Sequence, residues 1–141
     1  MKKYIIMGET NGIGGWQLYC DARVIYLKDK GYDVYILYSH LGKDDVKLKG
    51  LQEVKKINSI YASQRAYVFT KKQVNSIVDD ILKQIDYHDN DDLFIESTCI
   101  PYALWGELLA RRTKGTHFSY LLHSHFENVP TAIKEFFYFK S

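Results

Sequence analysis

The chain has 141 residues, 46% hydrophobic and 26% charged, which suffices for one core and one compact domain. A formal charge of +2 sets up no field that calls for nucleic acid, and two cysteines, Cys20 and Cys99, without a CxxC pair argue against a disulfide framework or a zinc knuckle. No stretch reaches the roughly 20 apolar residues of a membrane-spanning helix, and the first apolar run is too short for a signal-peptide core, so both cysteines read as reduced thiols of a cytoplasmic protein.

Tyr4 to Met7 form an apolar block behind two lysines, the pattern of a strand buried on both faces of a parallel sheet. Gly8, Gly12, Gly14 and Gly15 crowd the end of that strand. Glycine admits positive φ and removes the Cβ atoms that hold a ligand away, and a helix starting near Trp16 aims free amides back at the turn. An anionic group fits there; the plain alternative is a tight strand-to-helix connection with no ligand.

Trp16 to Lys30 then reads as a helix with Leu18, Ala22 and Ile25, joined by Tyr19 and Tyr26, as its inward face, and Gly31 as its stop. Tyr32 to Ser39 is a second strand, completing a βαβ unit. Between His40 and Tyr67, lysines alternate with acids and with Leu48, Leu51, Val54 and Ile57. This suits a short strand around 52–57 or a surface helix, solvated or, alternatively, touching a membrane surface. Lys71 to Ile85 is a helix with one apolar stripe through Val74, Ile77, Val78, Ile81, Leu82 and Ile85.

Leu93 to Ile95 form another buried strand, ending in Glu96, Ser97 and Thr98. Pro101 fits the first turn of a helix running to about Thr113, capped by Ser97 or Thr98, with Ile100, Leu104, Leu108 and Arg111 on its inner and border positions and Gly115 as its end. Phe118 to Leu122 is the last strand, and His123 to Glu127 lie just beyond it.

Strands alternating with helices predict an α/β fold, a Rossmann-like doubly wound parallel sheet. Ligands of such sheets bind outside the carboxyl ends of the strands. The turn at 9–15, Glu96 to Thr98 and His123 to Glu127 are the polar segments at those ends and are expected to share one crevice. The run Phe136, Phe137, Tyr138, Phe139 close to Ser141 leaves apolar surface that further chain would cover, so residues 1–141 are expected to be a single domain of a truncated chain.

Three chemistries compete for the crevice. Gly8, Gly12 and Gly14 have the spacing of the nicotinamide-binding turn of short-chain dehydrogenases. The second strand, however, ends in Tyr38-Ser39-His40 without a ribose-binding acid, and Tyr26 and Lys30 have the catalytic spacing on the wrong helix. A freestanding Rossmann-like module that pairs with another chain through the aromatic C-terminal segment is a second reading.

The third comes from Gly12-Ile13-Gly14-Gly15-Trp16-Gln17-Leu18-Tyr19, the segment Tyr26 to Val34, Ile95-Glu96-Ser97, Ala103 to Ala110 and Tyr120-Leu121-Leu122-His123. Together they resemble the N-terminal domain of family 4 glycosyltransferases of the GT-B fold that assemble surface polysaccharides. The resemblance implies transfer of a sugar from a nucleotide-sugar donor to a saccharide or lipid-linked acceptor, in the cytoplasm or at the inner face of the membrane. Gly14 and Gly15 would face the donor diphosphate, and His123 or, alternatively, His125 would line the reaction centre. Asn11, Trp16, Glu96, Ser97 and Thr98 would form the acceptor-side crevice. No metal or other cofactor is expected, because amides placed at the turn can stabilise the departing diphosphate. The resemblance also implies that residues 1–141 are the truncated N-terminal half of a larger two-domain enzyme whose missing C-terminal domain binds most of the donor, and hence little activity in this chain alone. Glu127 and Glu135 copy the spacing of the family's acidic motif in the wrong half and read as coincidence.

Overall fold

The computed structural model describes residues 1–8, 15–38, 48–98 and 101–120. Five strands, β1 (Lys2–Met7), β2 (Asp33–Tyr38), β3 (Lys55–Asn58), β4 (Asp92–Thr98) and β5 (Thr116–Tyr120), form one sheet in the order β3-β2-β1-β4-β5. Every neighbouring pair is parallel. The helices α1 (Gly15–Asp29) and α2 (Lys49–Glu53) cover one face, and α3 (Lys71–Gln84) and α4 (Tyr102–Thr113) the other. This is the Rossmann-like doubly wound α/β fold expected of strands alternating with helices.

Two apolar layers hold it together. Ile5, Met7, Leu37, Ile57 and Ile95 meet Val74, Val78 and Ile81 of α3 and Leu104, Trp105 and Leu109 of α4 on one face. Tyr4, Ile6, Val34 and Ile36 meet Cys20, Val24 and Leu27 of α1 and Leu51 of α2 on the other. The predicted stripe of α3 is the buried one, and its first turn carries a capping box: Gln73 N–H donates to Thr70 Oγ1 (3.2 Å), and Thr70 N–H to Gln73 Oε1 (2.9 Å). At the other end Lys3, only 4% exposed, donates from Nζ to the Ile85 and Asp86 carbonyls, both at 2.6 Å, and pairs with Asp91 at 3.2 Å. A cation on the last carbonyls of a helix satisfies acceptors that the helix itself leaves open.

The structure corrects several local expectations. Helix α1 is turned the other way: Leu18, Tyr19, Ile25 and Tyr26 are 45–56% exposed and Ala22 is exposed, while Cys20, Val24 and Leu27 are buried. The segment offered as strand or helix holds both, α2 and then β3, followed by 3₁₀ turns at Ile60–Ser63 and Ala66–Val68. Ser97 and Thr98 stay in β4 and do not cap α4, whose N-cap is Pro101 without a side-chain bond. Leu104 is buried in α4 as expected and Leu108 partly so, but Arg111 is exposed. Its left-handed C-terminal residue is Lys114 (φ 56°) rather than Gly115, whereas Gly31 takes φ 90° after α1 as a glycine stop should. Strand β5 begins at Thr116, two residues ahead of the predicted Phe118. Ile100, Cys99 and the aromatic run at 136–139 lie outside the described residues. No helix among the described residues is long and apolar enough to cross a membrane.

Candidate functional site

In a parallel sheet all carboxyl ends lie along one rim. Met7, the last residue of β1, is in register with Ser97, and Thr98 at the end of β4 is in register with Tyr120 at the end of β5. The three strands whose ends lead into the candidate segments are therefore adjacent. The strand order also reverses between β1 and β4, the topological switch at which such sheets bind ligands. Gly15 is the first residue of α1, the helix that follows β1. Asn11, Gly14, His123 and His125 lie outside the described residues, as does the side chain of Trp16.

Glu96, Ser97 and Thr98 occupy the rim end of β4 with their side chains buried, at 0%, 0% and 2% exposure, rather than open to a crevice. Because side chains alternate along a strand, Glu96 and Ser97 enter opposite layers, and each joins a polar network there.

Toward α1, Tyr4 O–H donates to Glu96 Oε1 at 2.7 Å. Arg23 donates from Nε to the same oxygen at 3.3 Å and from Nη2 to the Tyr4 hydroxyl at 3.1 Å. The guanidinium also lies 5.5 Å from the Tyr4 ring centre and 5.8 Å from that of Tyr26. Burial pushes the Tyr4 phenol well above its ordinary range; its bond to Arg23 works against that rise and the Glu96 carboxylate adds to it. Tyr4 is thus a neutral donor at any physiological pH. Burial likewise raises the Cys20 thiol, with the Glu96 charge adding to the rise, so Cys20 stays protonated and unreactive.

Toward α4, Ser97 Oγ lies 2.7 Å from His117 Nε2, and His117 Nδ1 lies 2.8 Å from Glu107 Oε2. Arg111 Nε reaches Glu107 Oε1 at 3.4 Å. A carboxylate only accepts, so Nδ1 carries a proton, and Nε2 shares the second hydrogen bond with the serine hydroxyl. The hydrogen bond from His117 holds the Glu107 carboxyl below its ordinary range, against its partial burial and with help from its charge and from Arg111.

The order Ser-His-Glu is that of a nucleophilic relay. A nucleophile must also reach its substrate, and Ser97 is fully buried with a histidine side chain only 7% exposed beside it. The relay therefore ties β4 and β5 to α4 instead of attacking a substrate. Gly106 makes the room, since a Cβ there would come within 2.6 Å of His117 Nε2.

Tyr4, Arg23, Glu107 and His117 are not among the candidate residues read from the sequence. Two signals were available: an arginine at position 23 between Val24 and Cys20, and an isolated glycine inside α4 next to an acid. Among the described residues no group of three or more His, Cys, Asp or Glu side chains gathers as a metal site would require. No protein-family model matches the chain, and no curated protein matches it either.

Proposed function

We propose that the chain is the acceptor-side, N-terminal domain of a GT-B glycosyltransferase that moves a sugar from a nucleotide-sugar donor to a saccharide or lipid-linked acceptor. The reading draws on the motifs around Gly12–Tyr19, Tyr26–Val34 and Ala103–Ala110. The observation that carries it is the rim itself: β1, β4 and β5 end side by side at the switch point, and α1 starts at Gly15 within the glycine-rich turn. A helix amino end there offers free amides to a diphosphate. On this reading Gly14 and Gly15 meet the donor phosphates, and His123 or His125 meets the reacting carbon. Asn11 and Trp16, with the backbone of Glu96 to Thr98, border the acceptor. Glu96 also acts indirectly, by holding Arg23 and with it α1. A second domain, supplied in the longer protein, binds most of the donor, and the protein works in the cytoplasm or at the inner face of the membrane.

The test is Gly15→Val in the full-length protein, assayed with radiolabelled nucleotide sugars and a membrane extract as acceptor. A side chain at the phosphate-facing amide should lower transfer at least about tenfold, equivalent to about 1.4 kcal/mol of transition-state binding, without lowering the unfolding temperature. Unchanged transfer and donor affinity would remove the phosphate role. His123→Ala should lower turnover more than stability, whereas an equal loss of both would make His123 a core residue.

A further inference from the structure

The polypeptide between β3 and α3 builds a cleft that neither polar network reaches. Its walls are Tyr61, Phe69, Gln73, Ser76 and Ile77, and it encloses about 230 Å³. Tyr61 and Phe69 meet edge to face, with ring centres 5.8 Å apart at 89°. Phe69 packs in turn on Trp105, at 6.1 Å, whose indole N–H donates to the Gln64 carbonyl at 2.8 Å. The aromatic wall is thus fixed to the buried core by a hydrogen-bonded tryptophan that is itself fully buried.

The opposite wall is one face of α3, because residues 73, 76 and 77 are spaced by three and four. Gln73 spends its amide oxygen on the capping box, which leaves its NH₂ group to donate. The Ser76 hydroxyl both donates and accepts, and Tyr61, 48% exposed, presents a ring and a phenol. None of the five lining residues is charged. The volume is below the ~300 Å³ at which pockets for drug-sized molecules begin, so the cleft takes one ring.

An uncharged cleft with an aromatic wall and a facing row of neutral donors and acceptors selects a ligand with an apolar face and a hydroxyl-bearing edge. We propose that it binds one neutral pyranose ring, the C–H face against Tyr61 and the hydroxyls toward Gln73 and Ser76. Phosphate and carboxylate find no cation among the described lining residues. Tyr61 follows the carboxyl end of β3 by three residues, and Trp105 lies in the first turn of α4, so the cleft opens beside strand ends. The proposal deepens the glycosyltransferase reading, on which it rests only for the role of the bound sugar as part of the acceptor.

The test is an NMR titration of the 141-residue chain with methyl glycosides of neutral hexoses, with methyl glucuronide and with phenol. Neutral pyranosides should give saturable shifts at the Tyr61, Gln73 and Ser76 amides with a Kd on the order of 1 mM, and the glucuronide weaker ones. Tyr61→Ala should weaken binding about fivefold, and Ser76→Phe, which fills the cleft from an exposed position, should abolish it. The proposal is overturned if no neutral pyranoside shifts these amides at 100 mM (about a hundred times the expected Kd), if phenol alone does so, or if both variants bind as the parent chain does. The donor side is read separately by the Gly15→Val assay in the full-length protein, so unchanged transfer there with intact pyranoside shifts removes the phosphate role and leaves the cleft standing.

Discussion

Gly106→Ala separates the two demands made at one position. In an exposed helix interior, glycine to alanine stabilises by about 1 kcal/mol, because alanine loses less backbone entropy on folding. Here the new methyl would sit 2.6 Å from His117 Nε2. A free side-chain tip could swing away at little cost, but this ring is clamped, with Ser97 at 2.7 Å on one nitrogen and Glu107 at 2.8 Å on the other. Relief therefore means losing or stretching both bonds. The bond to Ser97 contributes about 1 kcal/mol and the one to the carboxylate about 1.5–3 kcal/mol. Set against the propensity gain, the net loss is about 2 kcal/mol. In a His117→Ala background the obstruction is gone, and the same substitution should stabilise by about 0.5–1 kcal/mol, so its sign reverses. Urea unfolding of the four chains of this cycle measures both numbers. A neutral or stabilising Gly106→Ala in the parent chain would refute the clamp, and a loss that persists without His117 would place the obstruction elsewhere.

Two further outcomes follow from the same geometry. Ile25→Ala should change stability by less than about 0.5 kcal/mol and Leu27→Ala should cost about 2–5 kcal/mol, since the first side chain is 56% exposed and the second 3%; equal costs in thermal unfolding would return α1 to the face read from the sequence. The depressed Glu107 carboxyl contributes stability that is present above its unfolded-state value of about 4.3 and is lost as pH falls through its lower folded-state value. Glu107→Gln should therefore flatten the acid side of the stability curve below about pH 4.3, and an unchanged slope in acid-unfolding curves would discount the contact with His117.

How far the sequence could be read depended on whether one local pattern had one solution. Helix α3 has a single apolar stripe and a Thr-x-x-Gln cap, so Val74, Val78 and Ile81 could be placed inside from spacing alone. The strands were legible because their apolar runs are short and bounded, which was enough for the parallel sheet. Contacts across the chain were not: Ser97, Glu107 and His117 lie on three different elements, and nothing local to any of them announces the others. Lys3 was similarly opaque, since a lysine ahead of an apolar run reads as a solvated flank until the end of α3 arrives beside it. At the candidate site, the rim position of Glu96 to Thr98 was legible, but the inward direction of their side chains was not, because strand alternation in a sheet covered on both faces buries either phase.

Helix α1 shows why a buried charge can decide what apolar burial leaves undecided. Leu18, Ala22 and Ile25 form one possible inner face and Cys20, Val24 and Leu27 another, offset by two residues, or roughly 160° of helix rotation. With Tyr19 and Tyr26 the first set carries at least the apolar bulk of the second, so apolar burial alone does not select the face that the structure buries. Arg23 lies on the second face, and only that face brings it to Glu96 Oε1 and the Tyr4 hydroxyl. A hydrogen bond to a charged group contributes about 1.5–3 kcal/mol, and this rotation is the one that makes it. The same contact fixes the direction in which the first turn of α1, at Gly15, presents its amides to the rim. Glu96 thus shapes the rim-facing end of the helix from within the sheet, without a surface of its own to offer a ligand.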